Sequence, residues 1–149
     1  MNHRIFQPNV DDLLPLPFAL ALMRITTALL FMAHAAVRLA NGSVPGFSNF
    51  LAANGWPFPT ATVYAISAVE LSAGLALALG RWVRLSAASL LVIAATGIVL
   101  IHARNGWFVG EHGVGGVEYS LSLIAALLTL IAAGSPARHS ITQGQGITR

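Results

Sequence analysis

Four apolar runs, over residues 17–39, 60–80, 82–103 and 115–134, each reach the length of about 20 residues that an α-helix needs to cross the hydrocarbon of a bilayer. With no water in that layer, every backbone N–H and C=O must be bonded within the protein, so such runs are helices and not open strands. Composition agrees. Only 9% of the 149 residues are charged and the mean hydropathy is +0.73, whereas an ordinary soluble domain carries about 25% charged residues. The chain therefore reads as an all-α, four-transmembrane-helix bundle. The bundle occupies residues 17–134, between a short segment at 1–16 and a polar tail at 135–149.

The net charge of +3 does not make a nucleic-acid surface, because the eight arginines are scattered at span ends and share no face. Their distribution reports orientation instead. Arg4, Arg81, Arg84, Arg138 and Arg149 fall on one side, Arg38 and Arg104 towards the other. The positive-inside rule then predicts cytoplasmic termini and a cytoplasmic 81–84 turn, with the 40–59 and 104–114 loops outside. The expected setting is a multi-pass protein of the bacterial cytoplasmic (inner) membrane. A removable signal peptide is not expected: Asp11 and Asp12 precede the first run and Arg24 interrupts it. The absence of cysteine excludes disulfide scaffolding, thiolate metal sites and dithiol chemistry carried by this chain.

Arg24, Glu70 and Glu118 lie inside the apolar runs, where a charge costs at least about 2.5–3.5 kcal/mol unless it pairs or faces a polar cavity. Counting 100° per residue, Arg24, Thr27, His34 and Arg38 share an arc of about 80°, and Glu118, Ser122 and Thr129 one of about 40°. Glu70 aligns with Ser67 and Gly74, small residues that let helices approach. All three stripes are expected to face the bundle axis. Measured from the cytoplasmic span ends at 1.5 Å per residue, Arg24 lies at about 10 Å and Glu70 at about 15 Å, which predicts an inner Arg24–Glu70 ion pair. His34, Glu118 and His102 lie between about 24 and 28 Å on that scale, with Arg38 one turn above His34. These form an outer polar layer. Bland readings stand beside each: Arg24 and Arg38 as snorkelling anchors, Glu70 and His34 as interhelical hydrogen-bonding groups, His102 as an interfacial residue, and Glu118 as a first-turn partner of the helix dipole.

Between the runs, Phe47, Phe50, Trp56 and Phe58 suit a bilayer interface. A short surface helix is expected over 48–54, capped by Ser48 and stopped by Gly55 before Pro57. The turn Gly80-Arg81-Trp82 makes the second and third spans antiparallel neighbours. The third connection is rich in glycine and carries Glu111 and His112 in a solvated loop.

Taken together, these residues resemble the DoxX family of small four-helix integral membrane proteins. The resemblance is carried by Leu22-Met23-Arg24, by His34-Ala35-Ala36-Val37-Arg38-Leu39 and by Phe50-Leu51-Ala52-Ala53-Asn54-Gly55-Trp56-Pro57. The Glu70 helix ending at Leu79-Gly80, the run 102–106 and above all Gly113-Val114-Gly115-Gly116-Val117-Glu118-Tyr119 add to it. Ala35 replaces the family's usual glycine and Arg38 its common lysine, which keeps the charge but removes an amine that can deprotonate. The resemblance implies a membrane subunit linked to redox processes, including quinone-coupled sulfur oxidation, with other protein subunits or soluble oxidoreductases as partners.

Quinone chemistry needs hydrogen-bond donors at two carbonyl oxygens and a proton-exchanging group. His34 and Arg38 are candidate donors, Glu118 the proton exchanger and Tyr119 a pocket wall, with His102 in the same layer. No metal site is assigned, although a haem between His34 and His102, or a metal at His102, Glu111 and His112, is conceivable. The chain carries no thiol or flavin-binding signature, so electrons must come from a partner or a bound cofactor. At most it is then a quinone-linked oxidoreductase subunit. The alternatives are a non-enzymatic assembly subunit, or a path for protons or a small solute along Arg24, Glu70, Glu118 and His34.

Overall fold

A computed structural model describes residues 14–108 and 115–134. The expected N-terminal segment up to residue 13, the polar tail from 135, and Glu111 and His112 lie outside the described residues. The fold is all-α: α1 (Leu16–Ala40), α2 (Val44–Ala53), α3 (Pro59–Ala78), α4 (Val83–Leu100) and α5 (Val117–Ala133), with a 3-10 turn at His102–Arg104 after α4. Three helices are long and apolar enough to cross a membrane: α1, α3, and α4 with its 3-10 extension. The shorter α5, of 17 residues, is also apolar. The chain is a multi-pass membrane protein, and the large apolar side chains left exposed along these helices, such as Leu22, Val92 and Val99, suit contact with lipid tails.

Helix boundaries follow local chemistry. α1 and α3 each carry proline in the first turn, where the missing N–H has no intrahelical partner to lose. At the end of α2, Gly55 adopts φ 74°. Its N–H donates to the Ala52 carbonyl at 3.0 Å, and that of Trp56 donates to Leu51 at 3.0 Å. This reverse turn favours a residue without Cβ, so Gly55 stops the helix as expected. Its start differs from expectation. α2 begins at Val44, a turn before Ser48, because Pro45 sits in the first turn, where proline is tolerated. Ser48 is buried within the helix and caps nothing.

α1 packs along α3, α3 along α4 and α4 along α5, whereas α1 touches α5 only sparsely. Gly74 faces Met32 and the backbone of Ala28, and Gly80 faces Arg24; these two contacts fix the antiparallel register of α1 against α3. Near the 80–82 turn the bundle is solid, filled by Ala28, Leu77, Val83, Ala87, Leu90, Leu127 and Leu130. At the opposite end a smaller cluster, Val44, Leu51 and Val63, seats α2 on α3. Between the two lies space.

Candidate functional site

A buried polar cluster joins α1 and α3. Arg38 donates from Nη1 to Glu70 Oε2 at 2.7 Å and to Ser67 Oγ at 2.8 Å, and from Nη2 to Glu70 Oε1 at 3.5 Å. Ser67 in turn donates to the Val63 carbonyl at 3.0 Å. Arg38 is 9% exposed and Glu70 2%. On its other side the Arg38 guanidinium lies over the Phe47 ring of α2, 5.4 Å from the centroid. A carboxylate, a hydroxyl and an aromatic face thus surround one cation, which is how a charge becomes tolerable at this depth.

This pair replaces the expected Arg24–Glu70 pair. Side chains on a helix lean towards its N-terminus. On antiparallel helices, Arg38 therefore leans down and Glu70 up until they meet, while Arg24 leans away towards the 80–82 turn. An ideal Cβ on Gly80 would stand 2.8 Å from Arg24 Nη1, so the guanidinium occupies the C-terminal turn of α3, where the helix dipole favours a cation. The common zero used for depth also misled, because α1 starts about 12 Å before Arg24 draws level with Gly80.

Beside the Arg38–Glu70 pair opens a cavity of about 700 Å³, within the range of small-molecule and cofactor sites. Its walls are largely apolar: Leu30 and Phe31 of α1, Ile66 of α3, Val92 and Ile93 of α4, and Leu123 of α5. Phe47 and Leu51 of α2, together with Trp56, also line it. Trp56 is held by a hydrogen bond from Nε1 to Thr62 Oγ1 at 3.1 Å. The polar groups reaching this space are His34, Arg38, Glu70, His102, Tyr119, Ser120, Thr96 and Ser43.

Three of the four residues expected in an outer layer, His34, Arg38 and His102, therefore line one cavity with Tyr119, the expected pocket wall, and Glu70 joins them from the pair assigned elsewhere. Glu118 does not line it. It stands on the first turn of α5, where its N–H donates to the Trp107 carbonyl at 3.1 Å. The polar stripe on α5 does not face the axis either: Ser122 and Thr129 are exposed and donate to the carbonyls of Glu118 and Ala125 in their own helix. A hydroxyl satisfied by the preceding turn has no need of the interior. His102 is wedged beside Gly97 and Gly115, and its Nδ1 is buried without a partner. Among the described residues no three His, Asp or Glu side chains come together as metal ligands would. Ser67 and Phe47, the other contacts of Arg38, were readable only as a small residue in phase with Glu70 and as an interfacial aromatic.

The DoxX family profile matches residues 19–103. That stretch holds α1 to α4, hence the Arg38–Glu70 pair and all but the α5 wall of the cavity. It stops short of the glycine run that leads into Glu118 and Tyr119. No curated protein and no solved structure matches the chain. With more than half of the sequence matched, including both partners of its buried ion pair, the chain belongs to the DoxX family.

Proposed function

We propose that the cavity is a quinone-interacting site and that the chain serves as the membrane subunit of a redox-linked assembly. One observation carries this reading: a buried cation–carboxylate pair, two imidazoles and a phenol all line one largely apolar cavity of about 700 Å³. A quinone needs that combination, with apolar walls for the ring, a donor for a carbonyl oxygen and groups that pass protons. Three of the five guanidinium donors of Arg38 are spent on Glu70 and Ser67, and the rest can serve a carbonyl oxygen. His34 and His102 pass the protons, and Tyr119 borders the ring. Reduction of a quinone to the quinol takes two electrons and two protons, one proton to each carbonyl oxygen. The chain has no cysteine to supply the electrons from a dithiol, so they come from an oxidoreductase partner or a bound cofactor.

In this reading α5 is the fourth crossing. It runs beside α4 from one end to the other: Val117 N–H donates to the Gly106 carbonyl, and Gly134 lies against Arg84. The 80–82 turn then faces the cytoplasm and α2 the outside of the inner membrane. The alternative of an assembly subunit draws on the exposed aromatic rings Phe58, Trp107 and Phe108, which offer a partner an apolar surface.

Quinone titration of the purified protein tests the site. His34→Phe and His102→Phe should each weaken binding by about tenfold, the worth of one good hydrogen bond. Unchanged affinity in both variants would remove the quinone site and leave the assembly reading.

A further inference from the structure

A second hollow adjoins the first. A groove of about 470 Å³ runs along the seam between α1 and α5, the two neighbouring helices that touch least. Met23, Thr26 and Leu30 of α1 form one wall, and Ser122, Leu123 and Ala126 of α5 the other. Leu30, Tyr119 and Leu123 line both the groove and the cavity, so the two spaces meet at those side chains. The helical stripes support the continuity. On α1 the positions facing the groove, 23, 26 and 30, lead by helical steps to His34 in the cavity. On α5 positions 119, 122, 123 and 126 do the same in reverse. Tyr119, 47% exposed, stands where the cavity opens into the seam.

We propose that the cavity is loaded from within the bilayer through the α1/α5 seam, so that its ligand is a single-tailed amphiphile with a polar ring at Arg38–Glu70 and an isoprenoid tail lying in the groove. This rests on the quinone reading and adds its ligand class and its route. The groove is too apolar for a polar solute. From Leu30 to Ala19, both of which line it, it extends about 17 Å along α1, the reach of several isoprene units. α1 packs closely on α3, α3 on α4 and α4 on α5, whereas α1 and α5 touch only sparsely, which makes the α1/α5 seam the side where helix packing obstructs a ligand least. A tail already dissolved in lipid gains little hydrophobic energy by moving into the groove. The seam therefore acts as a path, and its effect on affinity is steric.

The test fills the groove without touching the ring site. Ala126→Trp, and independently Thr26→Trp on the opposite wall, are placed in lipid nanodiscs beside the unmodified protein. Each is titrated with a benzoquinone bearing a long isoprenoid tail and with the same ring without a tail, folding being monitored by thermal melting. In the folded variants the tailed quinone should bind at least about tenfold more weakly, while the tail-less ring stays within about twofold of the unmodified protein. Equal affinity of the tailed quinone in variant and parent overturns the route. If the tail-less ring fails to bind the unmodified protein, the quinone reading has failed instead. The route is then decided by a fluorophore on Ser122→Cys, a unique thiol in this chain. Saturable quenching by a brominated single-chain amphiphile supports the seam, and quenching no greater than that by bulk brominated lipid overturns it.

Discussion

At the scale of single residues, the Arg38–Glu70 pair is the feature with the largest energetic consequence. Removing one partner of a buried pair leaves an uncompensated charge and costs about 3–5 kcal/mol, whereas replacing both by apolar groups of similar volume is often neutral. Glu70→Gln should therefore lower the thermal midpoint in detergent sharply, and Arg38→Met/Glu70→Leu should recover most of the loss. If the pair serves only to join α1 to α3, the recovered double variant keeps its quinone affinity. If the cavity binds as proposed, the double variant is stable and does not bind quinone. A double variant as unstable as Glu70→Gln would show that Ser67 and Phe47 cannot tolerate an apolar neighbour. That a paired charge exists was legible in the sequence, because Glu70 sits mid-span with a short side chain. Which arginine pairs with it was not, since the answer lies in the lean of side chains and in the offset of α1 relative to α3, neither of which a span-by-span depth count contains.

At the scale of elements, the start of α5 decides where Tyr119 stands. The first N–H groups of a helix lack intrahelical partners, and here those of Val117 and Glu118 are taken by the carbonyls of Gly106 and Trp107, at 3.2 and 3.1 Å. That docking requires Gly116: an ideal Cβ there would collide with the Trp107 carbonyl oxygen and lie 2.5 Å from the carbonyl carbon of Phe108. These are backbone atoms and cannot step aside as a side-chain tip would. Gly116→Ala should accordingly cost about 1–3 kcal/mol through overpacking and displace the N-terminal turn of α5, read as a lowered melting temperature and faster hydrogen exchange at residues 117 and 118. Gly46→Ala, where a Cβ would meet nothing within 4 Å, serves as the control and should leave both unchanged. A silent Gly116→Ala would mean that the turn is not held by its contact with residues 107–108.

For the whole molecule, the long helices were legible because their lengths follow from run length and hydrocarbon thickness alone: three of the four expected runs fall on helices long enough to span, and the fourth on the shorter apolar α5. The cavity was not legible. It arises where α1 and α5 touch only sparsely and α2 adds Phe47 and Leu51 to the lining, and vacant space between helices leaves no mark on any one helix's periodicity. Orientation lies between these cases. The 80–82 end gathers Arg24 against Gly80, Arg84 against Gly134, and Arg81 over the Trp82 ring at 5.5 Å. At the other end Arg38 is consumed within the bundle, and Arg104 donates to Asn54 Oδ1 at 2.9 Å. Among the described residues the arginines not neutralised by a carboxylate are therefore more numerous at the 80–82 end, as expected if that end is the cytoplasmic one proposed above. Because the chain has no cysteine, single substitutions report this without background. Trp82→Cys should resist a membrane-impermeant maleimide on intact cells and react only after lysis. Asn49→Cys on α2 and Asn105→Cys after the 3-10 turn should react from outside. Reaction of Trp82→Cys on intact cells would invert the bundle. α2 and the end of the cavity that it lines would then face the cytoplasm, and a seam that opens into the bilayer core would serve either orientation.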